Sequence, residues 1–111
     1  MKTFELIMAI VNRGRAEDVM RSAKRAGATG GTVVYARGTG IHETELNFGV
    51  LIQPEKELVL ILAEQGQTPP ILEAIRQGAG LDRPGQGMCF SLPVDAVAGA
   101  RRLLEETGDL Q

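Results

Sequence analysis

Phe4-Glu5-Leu6-Ile7-Met8-Ala9-Ile10-Val11 is apolar at every position but Glu5, and Asn12-Arg13-Gly14 stops it. A run of this length, rich in β-branched residues and closed by turn formers, predicts a strand buried on both faces. Leu58-Val59-Leu60-Ile61-Leu62-Ala63 has the same character further along the chain. Two such strands in one short chain must lie in the interior of a sheet, so the segments around them set the architecture.

Arg15 to Ala26 places Val19, Met20, Ala23 and Ala26 on one helical stripe, and Gly27 stands where a helix C-terminus takes a left-handed residue. Thr32 to Ala36, with threonine, two valines and tyrosine, reads as the second strand. Gly38 to Gln53 carries Gly38, Gly40 and Gly49 and reads as a long loop or irregular hairpin. After Leu58–Ala63, Thr68 is the expected N-cap of a second helix, with Pro69 in its first turn and Ile71, Leu72 and Ile75 as its buried stripe. Gly78 and Gly80 end that helix, 81–87 is a loop, and Met88 to Leu92 is a short fourth strand. A last helix is expected from about Val94 to Glu106, with Val97, Ala98 and Leu104 toward the core.

The order is β-α-β, loop, β-α-β, then a helix. It predicts an α+β, ferredoxin-like fold: two βαβ halves forming one four-stranded antiparallel sheet. The two main helices cover one sheet face. The first and third strands are apolar on both faces, so the second face needs burial as well, and oligomerisation is the expected cover unless the last helix takes part of it.

Composition agrees with a single globular domain over 1–111. The chain has 111 residues, 43% hydrophobic and 23% charged, with a net charge of −2. That balance gives no long-range attraction to nucleic acid or anionic membrane. The one cysteine, Cys89, cannot form an internal disulfide, which points to a reducing, cytoplasmic setting. The N-terminal apolar run is read as a strand and not a targeting signal, and no apolar stretch approaches the ~20 residues of a membrane span.

Three glycine-containing segments stand out: Gly27-Ala28-Thr29-Gly30-Gly31-Thr32, Arg37-Gly38-Thr39-Gly40-Ile41-His42-Glu43, and Arg83-Pro84-Gly85-Gln86-Gly87. Each taken singly is most simply a turn. Glycines also let a backbone approach a phosphate closely and aim N–H groups at it. None of the three matches the Walker loop or the dinucleotide fingerprint.

Together they resemble the PII signal-transduction family, over about Lys2 to Arg101. The resemblance rests on the opening strand and helix, on Gly30-Gly31-Thr32-Val33-Val34-Tyr35-Ala36-Arg37-Gly38-Thr39-Gly40, and on Gln53-Pro54-Glu55-Lys56-Glu57-Leu58-Val59. It continues in Pro84-Gly85-Gln86-Gly87-Met88-Cys89-Phe90 and Leu92-Pro93-Val94-Asp95. The resemblance implies a homotrimer with ATP, ADP or AMP in clefts between subunits, regulating a protein partner, such as a membrane transporter, through a flexible T-loop at about 40–53. It implies nucleotide contacts from Thr32 and Gly38, from Gly85, Gln86 and Gly87 around the phosphates, from Arg83, and from Arg101 of the neighbouring subunit. His42, Glu43, Glu45, Leu46 and Phe48 fall in the implied partner-binding loop. A nucleotide here is a ligand and not a cofactor, and the role of magnesium stays open.

The departures from the family pattern are specific. Met88 stands where the phosphate loop usually has lysine, Gly99 replaces one of two arginines, Glu55 replaces the lysine after the proline, and His42 replaces a glutamine that helps hold magnesium and 2-oxoglutarate. Fewer cations weaken triphosphate binding and tilt preference toward ADP or AMP. The loop is shorter than usual and has no tyrosine to uridylylate.

Other classes fit less well. An enzyme needs a base or nucleophile with an orienting partner. One histidine, and one cysteine in an apolar strand, do not supply it. An RNA-recognition module displays aromatics on its central strands, where this chain offers Leu6, Met8, Ile10, Leu58, Leu60 and Leu62. His42 with Glu43 and Glu45 is a poor metal signature, so no metal site is expected. A related trimer sensing bicarbonate, a cyclic dinucleotide or a metal ion remains the alternative.

Overall fold

The computed structural model of the chain describes residues 2–38 and 54–99, and the backbone alone of 45–47 and 50–52. Its elements are β1 (Phe4–Asn12), α1 (Ala16–Arg25), β2 (Thr32–Arg37), β3 (Glu45–Asn47), β4 (Val50–Ile52), β5 (Glu55–Glu64), α2 (Thr68–Gly78) and β6 (Gly87–Val94). Four strands form one sheet in the order β2-β5-β1-β6, with every neighbour antiparallel. This is the ferredoxin-like arrangement, with the two both-face-apolar strands, β1 and β5, in the centre. Of the two expectations for the segment after Gly38, the irregular hairpin is the observed one: β3 pairs with β4, Leu46 opposite Leu51.

Alternation along β1 and β5 sorts the apolar side chains onto two faces. Ile7, Ala9, Val11, Val59, Ile61 and Ala63 face the helices and are at most 1% exposed. They pack with Val19 and Ala23 of α1 and Ile71 and Ile75 of α2. Each fully buried valine or isoleucine contributes about 1.5–3 kcal/mol relative to exposure.

Both helices end by the same device. Gly27 takes φ +114° after α1, and the Ala28 and Gly27 amides donate to Ala23 O (3.0 Å) and Lys24 O (3.1 Å). Gly80 takes φ +65° after α2, with Leu81 and Gly80 donating to Arg76 O and Gln77 O. These are Schellman closures, which need a left-handed residue and therefore favour glycine.

The start of α1 is held from a distance. The Glu57 carboxylate, only 7% exposed on β5, accepts hydrogen bonds from the amides of Gly14 and Ala16, both 2.9 Å. It satisfies amide donors at the helix start that no side chain of the N-cap residue Arg15 serves. Replacing Glu57 with alanine leaves buried donors unsatisfied, so a loss of about 1–3 kcal/mol is expected in urea unfolding. A midpoint unchanged from wild type would show that water replaces the carboxylate without cost.

Two expectations need correction. Thr68 is not the N-cap of α2. A 3-10 turn at Gln65–Gln67 runs directly into the helix, so Gln67 occupies the cap and Thr68 is the first helical residue. The capping box is one turn earlier, between Glu64 and Gln67, and the Thr68 hydroxyl is buried without a hydrogen-bond partner among the described residues. The expected helix also does not begin at Val94. Pairing of β6 with β1 continues through Val94, opposite Phe4, and 95–99 are not helical. Pro93 is tolerated there because β6 is an edge strand, and Gly99 takes φ +83°. Leu104 and the rest of that expected helix lie outside the described residues.

The face away from the helices is apolar and open. Strand register lines it in rows: Leu92, Leu6 and Leu62; then Phe90, Met8, Leu60 and Thr32; then Met88, Ile10, Leu58 and Val34. Met88 is 58% exposed, Leu92 44% and Val34 41%. Residues 95–99 do not cover this face with a helix.

Candidate functional site

The Arg83–Gly87 loop is built from two successive turns. Arg83 N donates to Gly80 O (3.1 Å), and Gln86 N donates to Arg83 O (3.3 Å). Its entry is fixed by Arg76, in the last turn of α2, which pairs with both Glu73 and Asp82. The Arg76 hydrogen bond holds the Glu73 carboxyl below the usual range, and the same pairing raises the guanidinium. Arg83 is exposed, with its guanidinium against Gly80. Gly85 takes φ +78° in open space. Gly87 takes φ +122° directly against β1, where a Cβ would run into Ile10 O and stand 3.1 Å from Val11 Cα.

The loop is tied to the end of β1. Asn12 Nδ2 donates to Gly85 O at 2.9 Å, and Asn12 Oδ1 accepts from Lys56 Nζ at 2.7 Å. Lys56 is 8% exposed and stands opposite Asn12 on one side and Ala36 of β2 on the other. Beside it Arg13 pairs with Glu55, Arg13 N donates to Glu55 O, and Gly38 N donates to Pro54 O (3.3 Å). An open cleft of about 330 Å³ lies here, lined by Arg13, Tyr35, Ala36, Arg37, Glu55 and Lys56. Among these described residues Arg13 is paired with Glu55 and the Lys56 ammonium donates to Asn12.

Gly38 and the 83–87 loop therefore lie at the same end of the sheet, since Val11 faces Gly87 while Asn12 faces Lys56 and Lys56 faces Ala36. They are on opposite edges, however, three strand spacings or roughly 14 Å apart. Thr32 is exposed at the far end of β2, opposite Leu60. One subunit does not gather these residues into one pocket. The Gln86 amide is already used in its turn.

Arg101, His42, Glu43 and Phe48 lie outside the described residues. Glu45 and Leu46 lie on β3, of which only the backbone is described. Met88 is exposed beside the loop. Cys89 is half-buried, and burial pushes its thiol up to about 11. It stays protonated near neutrality, so alkylation at pH 8 is expected roughly 10²-fold slower than for a free cysteine, accelerating as pH rises toward 11. Rapid labelling by iodoacetamide at pH 8 would contradict this burial. No group of three histidine, cysteine or carboxylate side chains gathers among the described residues.

Asn12, Lys56 and Glu57 were not singled out by sequence reasoning as site residues. Asn12 reads only as the polar end of a strand. Lys56 reads as a loop-closing residue, although a lysine inside a strand pattern is itself a signal that its charge has a partner.

Among the described residues no helix is long and apolar enough to cross a membrane. Comparison with curated proteins finds no match. Among solved structures, the crystal structure of Arabidopsis thaliana PII bound to citrate is similar with a TM-score of 0.66 and 26% identity, covering 91% of this chain and 86% of that one. The profile described as nitrogen regulatory protein P-II matches residues 4–103. With nearly the whole chain matched and the ferredoxin-like sheet in place, this chain belongs to the nitrogen regulatory P-II family of small-ligand-sensing signalling proteins.

Proposed function

We propose that the chain works as a homotrimer in the cytoplasm and binds an adenine nucleotide between subunits, without chemistry on it. The observation that carries this reading is the placement of the candidate residues on opposite edges of one sheet. Gly85 precedes and Gly87 begins edge strand β6, while Thr32 begins and Gly38 follows edge strand β2. A closed ring brings the β6 edge of one subunit to the β2 edge of the next, completing a site that one subunit leaves divided. The same ring buries the open apolar face of the sheet. Arg83 and Arg101 then supply charge to the phosphates.

In this reading, nucleotide occupancy biases the conformation of the segment at about 40–53, in proportion to its differential affinity for each state. His42, Glu43, Glu45, Leu46 and Phe48 present that segment to a protein partner, a membrane transporter or an enzyme. Met88 and Gly99, in place of cations, favour ADP or AMP over ATP. Calorimetric titration with ATP, ADP and AMP, with and without magnesium, is expected to give saturable binding near one nucleotide per subunit, with ATP not the tightest. No heat with any of the three sinks the nucleotide reading.

A second reading keeps the trimer and changes the ligand to bicarbonate, another small carboxylate, a cyclic dinucleotide or a metal ion. What favours the anionic members of that group is that the similar PII structure is bound to citrate. Binding of bicarbonate or citrate by a protein that ignores nucleotides would select this reading.

A further inference from the structure

We propose that Asn12 is a positioning residue that couples the Arg83–Gly87 loop to the cleft of Arg13, Arg37 and Glu55 at the other side of the sheet through Lys56. The inference rests on the nucleotide reading above, because it takes that loop to be a ligand site.

The orientation of the Asn12 amide is forced by its two partners. A lysine ammonium can only donate and the Gly85 carbonyl can only accept. Nδ2 must therefore face Gly85 O, at 2.9 Å, and Oδ1 must face Lys56 Nζ, at 2.7 Å. Both bonds depend on the same planar group, so neither end can rearrange without disturbing the other. Of the two loop glycines, Gly85 has the more open surroundings: its φ is +78° and no atom lies within 4 Å of where a Cβ would be. The peptide that carries Gly85 O also carries Gln86 N, which donates to Arg83 O at 3.3 Å, so the turn bond and the Asn12 bond hold one peptide plane from its two ends.

Lys56 carries the effect onward. It is 8% exposed on β5, opposite Asn12 and Ala36, and it lines the cleft with Arg13, Arg37 and Glu55. Next to it, Gly38 N bonds Pro54 O and Arg13 N bonds Glu55 O, so the two ends of the 39–53 segment are pinned at this place. A ligand that fixes the Gly85 peptide also fixes the amide of Asn12, which holds Lys56 and firms the pairing of β5 with β2. By linkage, whatever draws Lys56 away from Asn12 loosens the loop by the same factor.

Five proteins separate the outcomes: wild type, Asn12→Ala, Asn12→Asp, Lys56→Met and the Asn12→Ala/Lys56→Met double variant. ADP affinity is read by calorimetry, and amide hydrogen exchange is read at 36–38 and 54–57 with and without ADP. Asn12→Asp retains the acceptor for Lys56 but loses the donor to Gly85 O. The expected result is ADP binding about tenfold weaker in both Asn12 variants and about threefold or more weaker in Lys56→Met, with Asn12→Ala combined with Lys56→Met no weaker than Asn12→Ala alone. ADP slows exchange at 36–38 and 54–57 in wild type and not in the variants. A purely structural role would lower the melting temperature but leave that ADP response in place. Should Asn12→Ala fail to fold, the Asn12→Asp and Lys56→Met pair tests the same cycle. Wild-type ADP binding with unchanged affinity in Lys56→Met, or an ADP-induced slowing that persists in Asn12→Asp, overturns the coupling and leaves the nucleotide site standing. Failure of the wild type to bind ADP overturns both.

Discussion

Gly87→Val is expected to destabilise the fold by about 2–5 kcal/mol, a large fraction of the 5–15 kcal/mol available to a domain of this kind. Two costs combine. Gly87 takes φ +122°, a conformation that L side chains rarely adopt, and a Cβ there collides with Ile10 O and the β1 backbone. Neither atom is at the end of a flexible side chain, so relief requires parting β6 from β1 at the Val11–Gly87 pair. Gly85→Ala is the informative companion. Its φ of +78° is also left-handed, but nothing lies within 4 Å of the added carbon, so about 1–2 kcal/mol is expected. Urea unfolding of the two variants measures the difference. A Gly87→Val protein as stable as wild type would show that β6 does not begin against β1 as described. The contrast also settles how the loop should be probed: loss of ligand binding in Gly87→Val cannot be separated from damage to the sheet, whereas Gly85→Ala addresses the loop with the strand intact.

That distinction was not visible in Arg83-Pro84-Gly85-Gln86-Gly87 as a string. Both glycines suit a phosphate loop, and only register shows that one is packed against a neighbouring strand. The architecture itself was legible because it depends on local patterns. Phe4–Val11 and Leu58–Ala63 are apolar on both faces, and such strands belong in the centre of a sheet, where β1 and β5 are found. Gly27 closes α1 as its position suggested, through a motif whose geometry is local. Thr68 misled because a threonine followed by proline is a sound N-cap pattern, and nothing nearby announces a preceding 3-10 turn. Val94 misled because Pro93 suggests a break, while an edge strand accepts proline without one.

The site was less legible than the fold for a physical reason. Its residues are joined by contacts between distant parts of the chain. Asn12 reaches Gly85, 73 positions away, and Lys56, 44 positions away. Glu57 caps a helix 41 positions before it. No spacing rule within a helix or strand encodes such pairs, and they appear only once antiparallel register brings β5, β1 and the start of β6 side by side. Family resemblance pointed to Gly38 and the Gly85–Gly87 loop but not to the amide that stands between the loop and the cleft.

On the proposed assembly, Met8→Asp is expected to convert the trimer to a folded monomer and to abolish the proposed nucleotide binding with it. Met8 lies on β1, in the middle of the apolar row running from Phe90 through Met8 and Leu60 to Thr32. It points away from the helices and is half-buried in the isolated subunit, so the fold tolerates a carboxylate there with water on that side. In a closed trimer the same carboxylate loses its water without gaining a partner, at a cost of several kcal/mol per subunit. A site divided between the β6 edge of one subunit and the β2 edge of the next is lost when the ring opens, even though every loop residue is intact. Sedimentation equilibrium, circular dichroism and ADP calorimetry on the same sample read the three consequences, with Met8→Leu as the variant expected to stay trimeric and bind. If wild type sediments as a monomer yet binds ADP, the divided-site argument fails, because one subunit would then suffice. If Met8→Asp stays trimeric, the open face is not the interface, and the ring must close through the strand edges without burying the sheet.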